Sequence, residues 1–123
     1  MQAELKALDA ADAPGSDVRA FHPEDPACFA LAVTASIGPV GEDGAELFQF
    51  TVCSASWLAR QALPKGFAFQ RHTLLLDRWD PDLAERAITD LCRHTHGDTW
   101  QEIAEKLSRY GHWEFEDYRP TAG

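Results

Sequence analysis

Residues 29–54, "FALAVTASIGPVGEDGAELFQFTVCS", decide the fold. Phe29, Leu31, Val33, Ala35 and Ile37 fall on one side of an extended chain, with Ala30, Ala32, Thr34 and Ser36 on the other. After the turn-forming "GPVGEDG" (38–44), Phe48, Phe50 and Val52 alternate with Leu47, Gln49, Thr51 and Cys53. Apolar residues at a period of two around a short Gly-rich loop predict an antiparallel hairpin. Its small residues lie opposite the Phe-bearing face, so one side of the sheet carries the packing.

Upstream, Ala3, Leu5 and Ala7 alternate with Gln2, Glu4 and Lys6, the pattern of a further half-buried strand. Asp9 to Asp25, with Pro14-Gly15 and the "PEDP" of 23–26, reads as a long loop. Downstream, "SASWLARQALP" (54–64) predicts a short helix capped by Ser54 or Ser56 and stopped by Pro64. "PKGFAFQ" (64–70) is a loop, and "RHTLLLD" (71–77) is the next strand.

The last third predicts two helices. Asp80 caps the first, Pro81 stands at its first position, and Leu83, Ala84, Ala87, Ile88, Leu91 and Cys92 form the apolar stripe. Gly97 is expected as its left-handed stop, after Arg93, His94 and His96. Asp98 is expected to cap the second helix and Gln101 to complete a capping box, with Trp100, Ile103, Ala104 and Leu107 inward and Gly111 at the end. Strands followed by helices predict an α+β fold: a mainly antiparallel β-sheet packed on one face by a C-terminal helix pair. Residues 1–123 are expected to form one domain.

The chain is 45% hydrophobic and 25% charged, enough for a packed core. Its formal net charge is −9, with 20 acids against 11 Lys and Arg. Nucleic-acid and anionic-membrane binders need clustered cations, so the balance argues against both and suits a basic partner. "MQAELKALDAADAPG" lacks a signal-peptide pattern and no stretch is long enough to span a bilayer, which makes the cytoplasm the expected compartment. Cys28, Cys53 and Cys92 stand among apolar neighbours without paired spacing and are expected as reduced thiols.

Candidate chemistry is sparse. Cys92, His94 and His96, joined by His112 from elsewhere in the fold, carry ligand-type atoms, but Cys92 belongs to a buried stripe and the spacing is not that of paired zinc ligands. Cys53 and His72 both lie in strand patterns with no orienting third residue. "GPVGEDG" has no Lys or Ser/Thr at phosphate-loop spacing. Glu114 and Glu116, two apart, would share one face of a strand, and such a carboxylate pair could serve acid–base work in a cleft. The sequence therefore calls for no cofactor, metal or catalytic set, and a non-enzyme is expected. A small metal-dependent enzyme and a general acidic adaptor are the alternatives.

What the sequence offers instead is a surface. Acids gather in 9–25, at the hairpin tip in Glu42 and Asp43 with Glu46 beside them, and at the chain end in Glu114, Glu116 and Asp117. Together with Tyr118, these are the candidate partner-binding residues, the acids steering encounter. Trp113 and Phe115 are read as inward-facing core residues alternating with outward acids.

"AELK" (3–6), "PEDP" followed by Phe29, "IGPVGEDGAELFQFTVCSASWL" (37–58), "RHTLLLDRWD" (71–80) and "GDTWQEIAEKLSRYGHWEFEDY" (97–118) occur in order along nearly the whole chain. In these blocks the sequence resembles the bacterial immunity protein 8 family, small antidotes encoded beside polymorphic toxins. The segments 10–20 and 64–69 match that pattern least. The resemblance implies a cytoplasmic protein that binds a cognate toxin domain and blocks it without chemistry of its own. It transfers no binding residues position by position. A basic toxin, such as a nuclease, is the partner that the charge would suit.

Overall fold

The computed structural model describes residues 1–116. The chain runs β1 (Ala3–Ala10), a 3-10 turn (Val18–Ala20), β2 (Ala30–Pro39), β3 (Glu46–Ser54), α1 (Ala55–Ala62), β4 (Thr73–Leu76), α2 (Pro81–Arg93), α3 (Trp100–Leu107) and β5 (His112–Trp113). The sheet has the order β1-β2-β3-β4, with β5 pairing on β3. Every pairing is antiparallel except β3 with β4, which is parallel and is reached through α1. The α+β architecture expected from the sequence is the one observed.

The hairpin forms as its alternation dictates. Val33 pairs with Phe50 and Ala35 with Phe48, so small residues make room for the large rings on the same face. Val33, Ala35, Ile37, Phe48 and Val52 are completely buried. α2 adds Ala84, Ile88 and Cys92 to this core, and α3 adds Ile103, Ala104 and Leu107. The hairpin tip turns with Gly41 and Gly44 at positive φ, a conformation that costs glycine little.

β1 departs from the expected alternation. A bulge at Lys6 shifts its register against β2, so Leu8 rather than Ala7 reaches the core. The bulged Lys6 ammonium donates to the carbonyls of Glu42 and Gly44, tying the hairpin tip to the edge strand. Segment 9–25 is also more ordered than a loop reading allows. Asp9 and Ala10 belong to β1, and Val18 is fully buried in its 3-10 turn. Arg19 reaches Asp17, Asp82 and Glu85, three carboxylates that hold its guanidinium firmly charged. Trp79 donates its indole N–H to Phe21 O at 3.1 Å and packs edge-on against Phe21 and Phe29.

The caps of α1 and α2 follow the sequence reading: the Ser54 hydroxyl accepts from Trp57 N and the Asp80 carboxylate from Leu83 N. At α3 the cap moves one residue on. Thr99 Oγ1 accepts from Glu102 N at 3.2 Å, while the Glu102 carboxylate accepts from Asp98 N at 2.8 Å. Neither Gly97 nor Gly111 takes a positive φ. The link between the helices spans His94 to Thr99 and is held by Thr95 Oγ1, which donates to Leu91 O at 2.7 Å. Thr99→Ala is expected to cost about 1 kcal/mol, whereas Gln101→Ala should leave thermal unfolding nearly unchanged. Equal effects of the two substitutions would contradict the cap assignment.

Candidate functional site

Of the candidate acids, Glu46 opens β3 and Glu114 and Glu116 lie along the return of the chain beside it. β5 pairs with β3 through Phe48–Trp113 and Gln49–His112. Trp113 is buried and stacks on Phe48 with centroids 6.4 Å apart, while Phe115 meets Trp113 edge-on at 5.8 Å. Phe115 itself is 39% exposed, so only the first of the two aromatics is core as expected.

Glu46 is not a free surface acid. Its carboxylate accepts the indole N–H of Trp100 at 2.8 Å and that of Trp113 at 2.5 Å, joining β3, α3 and β5. Glu114 takes the place of a strand neighbour: its N–H donates to Leu47 O at 3.0 Å and its carboxylate accepts from Leu47 N. Glu116 folds back through a turn in which its N–H donates to Trp113 O at 2.9 Å. The strand therefore ends at Trp113, and Glu114 and Glu116 do not share a strand face as the alternation predicts.

The Glu116 carboxylate meets Arg71 at 2.6 Å, with His112 Nε2 at 3.4 Å and His72 Nε2 at 3.9 Å. His72 holds a left-handed backbone (φ 57°), rare for a side-chain-bearing residue, while its Nε2 bonds Ser108 O at 3.0 Å. That arrangement brings β4's entry, α3's end and the chain's return together. Arg71 and His72 precede β4 rather than forming its first residues, contrary to the strand reading of 71–77.

Between α3 and this returning chain lies a groove of about 460 Å³. Glu46, Glu105 and Glu116 line it with Trp113 and Phe115, and Gln101 and Ser108 complete the wall. Gln101 donates to Glu105 at 3.1 Å. Three carboxylates beside aromatic faces, with no Lys or Arg in the lining among the described residues, suit a cationic side chain. Glu105 escaped the sequence reading; its spacing four residues after Gln101, on α3's polar face, is the signal that could have found it.

Glu42 and Asp43 are exposed at the hairpin tip, and no described contact joins them to the groove. Asp117 and Tyr118 lie outside the described residues. The metal-type cluster does not assemble as a site. Cys92 is in the core, where burial pushes its thiol up to about 11, and His94 Nδ1 bonds Asp90 O at 2.7 Å. Among the described residues no three His, Cys, Asp or Glu converge as metal ligands. Cys53 is likewise buried, which raises its thiol, while His72 is turned toward Ser108 and Glu116. Among the described residues no helix is long and apolar enough to cross a membrane.

Comparison with protein families matches residues 3–118 to the family described as immunity protein 8. Comparisons with curated proteins and with solved structures find no match.

Proposed function

The chain belongs to the immunity protein 8 family, and from that membership we propose that it binds a cognate toxin domain and neutralises it by direct contact. In this reading residues 1–123 act as one binding domain in the cytoplasm of the producing cell, with no catalysis of their own. The observation that carries it beyond the family is the carboxylate-lined groove between α3 and the returning chain, backed by Trp113 and Phe115. A basic toxin supplies the cationic side chains such a groove accepts. The net charge of −9 favours rapid encounter with it.

Within this surface the acids have unequal roles. Glu46, Glu105 and Glu116 line the groove and are held by internal bonds, so their carboxylates present a fixed pattern to a partner, while Glu114 fixes the returning chain on Leu47 beside it. Glu42 and Asp43 stand free of such described side-chain bonds and act as steering charges. Reversing both to Lys is expected to slow association about tenfold at low salt, with the difference shrinking as salt rises. The melting temperature should stay within about a degree. Stopped-flow mixing with the toxin domain checks this, and an unchanged rate at low salt removes the hairpin tip from the surface.

The function itself is tested by coexpressing the chain with the toxin domain encoded beside it. Growth should be restored in proportion to the amount of folded chain. A toxin that stays lethal while the folded chain is abundant sinks the reading.

A further inference from the structure

The excursion between β3 and β4 has a property that the fold does not use. From Ala55 to Thr73 no residue is buried, although Trp57, Leu58, Leu63, Phe67 and Phe69 lie in it. Leu63 is 77% exposed, Phe67 61% and Phe69 93%. The two phenylalanine rings meet edge-on at 6.2 Å, and Gly66 N donates to Ala62 O, so the loop is folded against the end of α1. Apolar area of this kind stabilises nothing while it faces water, and burying each ring on a partner would be favourable. Paired aromatics with few rotatable bonds are the side chains that dominate protein interfaces.

The charge around the rings differs from the rest of the chain. Between Leu47 and Leu76 there is no Asp or Glu, in a chain with 20 acids. The same span carries the exposed Arg60 and Lys65, and Arg71, whose guanidinium pairs with Glu116. The excursion is thus a basic, aromatic projection on an acidic protein. A membrane is the poorer occupant, because the chain's net charge of −9 opposes approach to anionic lipid. A second copy meeting it by two-fold symmetry would set the same cations against each other.

We propose that Phe67 and Phe69 anchor the toxin contact by entering an apolar cleft of the toxin domain whose rim carries carboxylates facing Arg60 and Lys65. This rests on the antidote reading above and adds to it the residues that supply affinity. The acidic groove and hairpin tip then set approach and orientation.

The test uses the full chain and a catalytically inactivated toxin domain from the neighbouring gene. Phe67→Ala with Phe69→Ala is expected to weaken binding about a hundredfold, chiefly through faster dissociation, with thermal unfolding unchanged because the fold buries neither ring. Arg60→Glu with Lys65→Glu should slow association about tenfold at low salt. If the wild-type chain neither binds nor protects, the antidote reading itself fails. If the wild type binds and the double alanine variant binds within threefold of it, the anchor is elsewhere. Sedimentation of the free chain as a dimer that the alanine variant dissolves would overturn the proposal in favour of self-association. Co-sedimentation with phosphatidylglycerol–phosphatidylcholine vesicles, lost in the same variant, would overturn it in favour of a lipid surface.

Discussion

Gly111→Ala is expected to destabilise the chain by about 2–3 kcal/mol and to lower the melting temperature by roughly 10 °C. A methyl group built on Gly111 would lie 2.5, 2.7 and 2.9 Å from three carbons of the Phe50 ring. That ring is buried in the core between the sheet and the helices, so it has little room to retreat. The cost comes from packing rather than from backbone strain, since Gly111 does not use a positive φ. Gly111 N also donates to Leu107 O at 3.0 Å, which fixes where α3 ends and the chain turns toward β3. The loss should be coupled to the ring it strikes: with Phe50→Leu already present, adding Gly111→Ala should cost clearly less. Additive losses in that cycle would show that the glycine does not pack on Phe50.

Glu46→Ala is expected to cost about 3 kcal/mol, because it leaves two indole N–H groups without their shared charged acceptor. Trp100 comes from α3 and Trp113 from β5, so the substitution loosens both against β3. Tryptophan emission should shift to the red as the indoles become wetter. Glu42→Ala, a few residues away on the exposed tip, should change stability by no more than about 0.5 kcal/mol. A Glu46→Ala chain of full stability that nevertheless fails to bind the toxin would return Glu46 to the role of a plain contact residue.

The contrast between these two acids shows where the sequence was legible. The β2–β3 hairpin could be read because each strand repeats its apolar residues at a period of two, and the cap of α2 because Asp80-Pro81 admits one helical start. At α3 both Asp98 and Thr99 have side chains able to cap, so residue type alone could not choose between them. The bulge at Lys6 could not be seen because it is defined by the register against β2. The parallel pairing of β4 was equally hidden, since direction belongs to the pair and not to the strand.

The site was legible as charge and illegible as partnership. Glu46, Glu114 and Glu116 could all be marked as acids near one another's elements. Their bonds run to Trp100, Leu47 and Arg71, 54, 67 and 45 residues away, and nothing local announces them. Phe67 and Phe69 were passed over for the opposite reason. In sequence an apolar residue in a loop looks ready to be buried, and only the fold shows these two rings largely exposed.

Direct neutralisation is tested most directly by titrating the purified toxin domain with the purified, folded chain while toxin activity and binding heat are followed in the same samples. Activity should fall linearly to near zero, with the break at the stoichiometry given by the heat. Full toxin activity in the presence of a large excess of folded chain, with no heat of binding, would contradict the account.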